Sequence, residues 1–148
     1  TFGESKGTFD MQSTFEVLMV HGSPRRINEY LFADRPDSSL LRMMGAVTAD
    51  VMLFGHTHKP YHRVLSYDVD GAVRFRHAIN TGSVGKPKDG DPRAGYVLLH
   101  LADEPSAARA DDVRVESVRV PYDVERAARA VEASPLPDAF ADMLRNAY

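Results

Sequence analysis

Cysteine is absent from the 148 residues. Disulfide frameworks and thiolate metal sites are therefore excluded, and any bound metal must take nitrogen and oxygen ligands. A basic excess is missing too: 18 Lys and Arg stand against 21 Asp and Glu, for a formal net charge of -3. Proteins that live on the nucleic-acid backbone usually carry such an excess, so strong nucleic-acid binding is not expected. No stretch approaches the roughly 20 apolar residues of a membrane span, and Thr1–Thr14 lacks the apolar core of a signal peptide. The resulting expectation is a cytoplasmic protein with no membrane association, which the lack of cysteine also fits.

What is present suits a single folded domain. Hydrophobic residues make up 43% of the chain, enough to build a core. Residues 1–14 are polar and turn-like, and are read as a lead-in or junction. The first strong signal is the apolar run Phe15–Val20, which stops at His21-Gly-Ser-Pro24. A second run, Val51–Phe54, stops at Gly55-His-Thr-His-Lys-Pro60. Short apolar runs bounded by Gly and Pro read as strands buried on both faces of a parallel or mixed sheet. Between them a helix is expected, capped by Ser38 or Ser39, with Leu40, Leu41, Met44 and Val47 turned inward.

After Pro60 the pattern becomes that of antiparallel strands. Leu65, Tyr67 and Val69 alternate with polar residues up to Asp70-Gly71, a favoured type I′ turn pair. A half-buried returning strand carries Val73, Phe75 and His77, and another strand runs from Tyr96 to Leu101. The valines at 113, 115, 118 and 120 slip out of alternation, which predicts a β-bulge near Glu116-Ser117. Two amphipathic helices close the chain, one burying Val124, Ala127, Ala128 and Val131, the other Leu136, Phe140, Met143, Leu144 and Ala147.

Chemistry is concentrated in His21, His56 and His58, each just past the carboxyl end of an apolar strand, where open α/β sheets place their ligand sites. A His-x-His pair alone is a weak motif. Two histidine loops at two strand ends, separated by one helical crossover, make a metal site worth considering. In an extended segment the imidazoles of His56 and His58 would face the same way, with Gly55 letting the chain pass closely. Gly82-Ser-Val-Gly-Lys-Pro87 is not a phosphate loop, because the spacing is wrong and Pro87 stands where Ser or Thr is needed. Ser23 lies in no Gly-x-Ser-x-Gly elbow, so a serine hydrolase is not indicated. Three further histidines, His62, His77 and His100, fall on strands and read as structural.

Val20-His-Gly, Gly55-His-Thr-His58 and Ile79-Asn-Thr-Gly-Ser-Val-Gly-Lys-Pro87 resemble, in this order, the last blocks of the calcineurin-like metallophosphoesterases, especially the small bacterial phosphodiesterases. The resemblance spans about Phe15 to Leu99. It implies an α/β fold: the C-terminal part of a β-sandwich flanked by helices, with a mixed sheet, a strand–helix–strand unit, antiparallel strands and two final helices. It also implies a single such domain over 15–148.

By the same resemblance, His21 and His56 bind the second metal and His58 the first. The implied cofactors are two divalent ions drawn from Mn, Fe, Zn, Ni or Co, with Mn foremost. The implied reaction is phosphodiester or phosphomonoester hydrolysis of a small phosphate ester or nucleotide by a metal-activated water. Arg25, Lys59 and Lys86 are candidates for holding the substrate phosphate. No residue is assigned as catalytic.

The family's earlier blocks, Asp-x-His, Gly-Asp-x-x-Asp and Gly-Asn-His, do not occur in this sequence. A missing N-terminal metal-binding half is therefore expected, with a complementing half or an oligomer as partner. The alternative is a metal-poor protein-binding scaffold or an inactive fragment.

Overall fold

The computed structural model describes residues 14–148. Apart from Thr14, the lead-in expected at 1–14 lies outside the described residues. Four strands form one mixed sheet: β1 (Val17–Met19), β2 (Val51–Phe54), β3 (Tyr61–Val69) and β4 (Ala72–Asn80), in the order β1-β2-β4-β3. β1, β2 and β4 are mutually parallel, with Val17 beside Val51 and Val51 beside His77. β3 runs antiparallel to β4 from Tyr61 opposite Asn80 to Val69 opposite Ala72. Between those strands Asp70 and Gly71 both adopt positive φ, as a type I′ turn requires.

Every residue of β2 is buried, and the two layers around it explain its unbroken apolar run. On one face Met52 and Phe54 join Ala78 and Leu65 under Leu40, Met43 and Met44 of α1 (Asp37–Gly45), with Leu31 completing the cluster. On the other, Val51, Leu53 and Ile79 meet Val113 and the partly buried Val97, Leu99 and Val115 of a second sheet. That sheet is an antiparallel pair, β5 (Ala94–Leu101) and β6 (Val113–Val120). Each large side chain so buried stabilises the fold by roughly 1.5–3 kcal/mol relative to exposure. Two helices, α2 (Val124–Glu132) and α3 (Ala139–Asn146), pack against each other at the end of the chain. Among the described residues no helix is long and apolar enough to cross a membrane.

Several local expectations are corrected. Neither Ser38 nor Ser39 caps α1: Pro36 occupies the cap, and the Ser39 hydroxyl accepts from Arg35 Nε at 3.0 Å. Val47 lies beyond the helix and is exposed, while Met43 takes the buried place. No bulge interrupts β6, whose pairing with β5 is continuous from Leu101–Val113 to Ala94–Val120. The valines simply divide between faces. Val113 and Val115 point to the core, whereas Val118 sits opposite Tyr96 on the outer face. In α3 the deeply buried residue is Ala141, and Leu136 lies outside the helix and exposed.

Candidate metal centre

Because β1, β2 and β4 are parallel, their carboxyl ends open at one edge, and three loops meet there. Backbone bonds splice them. Gly55 N–H donates to the His21 carbonyl at 2.9 Å, and Thr81 N–H to the Phe54 carbonyl at 2.8 Å. Buried Asn80 ties the splice together through its side chain. Its Nδ2 donates to the Gly55 carbonyl at 3.1 Å and to Thr57 Oγ1 at 2.8 Å, while its Oδ1 accepts from Gly82 N–H at 3.0 Å.

Two glycines are demanded by sterics. A Cβ on Gly22 would fall 2.5 Å from the Ile27 carbonyl oxygen. Gly82 has φ 76° and packs on the Pro60 ring, where a Cβ would lie 3.2 Å from Pro60 Cβ. Gly55, by contrast, has open room, its nearest would-be contacts being 3.9 Å away. The tightness expected at Gly55 is absent, and the loop turns instead at the histidines. His56 and His58 have φ values of 64° and 60°, so the segment is not extended as its spacing suggested. Left-handed backbone costs a residue with a Cβ roughly 1–2 kcal/mol. Such residues concentrate at functional sites.

His21 and His56 are brought together. His21 Nε2 lies 3.0 Å from His56 Nδ1, the rings meeting edge to face at 4.9 Å between centroids. At this contact one nitrogen donates and the other accepts. His56 Nε2 is buried and has no hydrogen-bond partner among the described residues. A buried nitrogen left orphaned calls for an explanation, and a divalent cation supplies one.

His58 lines the same cleft, of about 500 Å³. Its Nδ1 lies 2.6 Å from the Lys86 carbonyl oxygen, so Nδ1–H donates and Nε2 is left with a free lone pair. A ligand histidine is held in this way in many metal sites. The chemistry of these donors fits a divalent metal, but their number does not complete a site. Among the described residues no group of three His, Asp or Glu side chains is close enough to hold an ion. No carboxylate of the described residues therefore joins the His21–His56 pair.

The three cations named from the sequence are placed apart. Arg25 pairs with Glu29, its Nε donating to Glu29 Oε2 at 3.2 Å, and lines a separate polar cleft with Arg26 and Asn28. That hydrogen bond and the nearby Arg35 hold the Glu29 carboxyl well below the usual carboxylate range. Lys59 is exposed, and its backbone N–H donates to Thr57 Oγ1 at 3.1 Å. Lys86 places its Nζ 5.2 Å from the centre of the Phe140 ring of α3.

Two contributors went unassigned in the sequence. Asn80 had a signal, a polar amide ending an apolar strand. Tyr30 had none, being an aromatic in a polar loop, yet its ring lies 4.1 Å from that of His56 between centroids.

Parallel strands whose loops present imidazoles at one edge, backed by a second sheet, are the architecture of metal-dependent phosphoesterases. The calcineurin-like phosphoesterase superfamily domain matches residues 2–104, and the chain belongs to that family. An uncharacterized protein of Methanocaldococcus jannaschii is 29% identical over 138 residues, covering 87% of this chain and 51% of that protein. The crystal structure of a metallophosphoesterase from Sphaerobacter thermophilus shares 27% identity at a TM-score of 0.66, covering 88% of this chain and 55% of its own. A hypothetical protein from Pyrococcus horikoshii, 19% identical, has the same fold at a TM-score of 0.63, with 88% and 46% covered. The chain thus spans about half the length of the relatives it matches.

Proposed function

We propose that this chain supplies the imidazole share of a two-metal phosphoesterase centre, with His21, His56 and His58 as ligands and manganese as the foremost metal. The observation that carries the reading is the orphaned, buried Nε2 of His56, set beside His21 where three loops meet. The divalent pair, when bound, supplies the electrophilic charge and the water activation that hydrolysis of a phosphodiester or phosphomonoester needs.

This chain's own groups do the rest. Lys86, through its carbonyl, keeps the proton of His58 on Nδ1 and so keeps Nε2 basic. Asn80 holds the histidine loop and the glycine loop at a fixed separation. The remaining oxygen ligands come, in this reading, from protein outside the described residues or from a complementing chain. Lys59, an exposed cation in the histidine loop, is the first candidate to contact the substrate phosphate. The setting proposed is cytoplasmic, on the cysteine-free composition.

The test is hydrolysis of bis(p-nitrophenyl) phosphate by the whole protein with added manganese, beside His56→Ala. Metal-dependent turnover lost in the variant is expected. Turnover equal in both would remove His56 from the centre. A second reading, a metal-poor scaffold, is favoured by the lack of any three-donor cluster among the described residues. Under it neither protein would show metal-dependent turnover.

A further inference from the structure

The loop that leaves His21 carries an aromatic pair, of which only Tyr30 touches the centre as described. The rings of Tyr30 and Phe32 are parallel to within 5°, with centroids 5.7 Å apart. Tyr30 is 50% and Phe32 47% exposed. Large aromatics usually bury most of their surface, so two stacked rings left half in water suggest an unfilled contact. Their placement is specific. Tyr30 lies against the His56 imidazole at 4.1 Å between centroids, and so beside a residue read above as a ligand of the metals that would bind the substrate phosphate.

We infer that Tyr30 and Phe32 form a stacking platform for a flat heteroaromatic group joined to the substrate phosphate, which makes a nucleotide the substrate class. The inference rests on the phosphoesterase reading of the same centre. A phosphate bound to metals held by His56 puts a base, one sugar away, beside the aromatic pair. Stacking suits any base because each presents a π-face. The surroundings fit a small anionic ligand better than an apolar protein partner. The same loop carries exposed Arg26, and Arg25 paired with Glu29.

Adenosine 5′-monophosphate and glycerol 3-phosphate, which carry the same phosphate with and without a base, are the probes. Binding is measured by calorimetry on the whole protein with manganese present. Base stacking predicts that the nucleotide binds at least about tenfold more tightly. Phe32→Ala should bring the nucleotide close to glycerol 3-phosphate and leave the latter unchanged, while Phe32→Tyr should restore the preference. Because Phe32 is half exposed, the variant should fold, and its circular dichroism checks that. Equal binding of the two probes by the native protein overturns the platform while leaving the phosphate site standing. A Phe32→Ala loss shared by both probes also overturns it. Failure of both probes to bind the native protein removes the phosphate site, and the platform with it.

Discussion

His58 gives its Nδ1 proton to the backbone carbonyl of Lys86, 2.6 Å away. The bond joins the histidine loop after β2 to the glycine loop after β4, and a second one returns, from Lys88 N–H to the His58 carbonyl at 3.1 Å. A residue that looks in sequence like a phosphate-binding lysine thus acts on the centre through its main chain. Its side chain rests on Phe140 of α3 instead.

That division of labour predicts that Lys86→Ala changes metal affinity by no more than about twofold, since the carbonyl remains. The substitution should cost about 0.5–1 kcal/mol of stability from the lost cation–π contact. Manganese titration and urea unfolding measure the two effects separately. A collapse of metal binding would mean that the ammonium, and not the carbonyl, matters.

Asn80 makes three side-chain hydrogen bonds while almost wholly buried. Asn80→Ala should destabilise the protein by about 2–4 kcal/mol, as the Gly55 carbonyl, Thr57 hydroxyl and Gly82 N–H lose their partner. Metal affinity should fall with it. Urea denaturation reads the first quantity, and a loss under about 1 kcal/mol would show that water replaces the amide.

The glycine that follows His21 and the glycine that precedes His56 should respond differently. Gly22→Ala places its methyl group against the carbonyls of Ile27, Glu29 and Arg26, so a marked drop in melting temperature is expected. Gly55→Ala meets nothing closer than 3.9 Å and needs no left-handed backbone, so it should be nearly neutral. Thermal melts of both variants decide. Equal effects would contradict the placement of these loops.

His77 is 2% exposed, with Nδ1 3.0 Å from His62 Nε2, and burial followed by the neighbouring His62 pushes it down to about 4. The unfolded chain, whose histidine titrates near 6.5, binds this proton more readily. Stability should therefore hold above pH 6.5 and fall as pH drops from there to about 4, by up to about 1.4 kcal/mol per unit. His77→Gln should flatten that slope in denaturant titrations across this range. An unchanged slope would assign the acid sensitivity to other groups.

Much of the layout was legible because the relevant signals were local. The run ending at Gly55 is fully apolar because β2 is covered on both sides, and Asp70-Gly71 dictates its own turn. The run ending at His21 reads as equally buried, but it forms β1, the end strand of the sheet among the described residues, and leaves Val17 and Met19 exposed. The errors came where tertiary context overrides pattern. Val118 looks like a core residue out of step, but it pairs across an outer face with Tyr96, which no periodicity reveals. Spacing also placed His56 and His58 side by side on extended chain, whereas left-handed backbone at both directs them differently. The contact of Tyr30 with His56 joins residues of separate loops, and nothing in either segment announces it.

Whether His56 holds metal is read from the divalent metal per chain in the purified whole protein, supplied with manganese and set beside His56→Ala. Close to two bound ions per chain are expected, as the family resemblance implies, with a loss of metal when the imidazole of His56 is removed. Metal no higher in the native protein than in the variant would contradict His56 as a ligand.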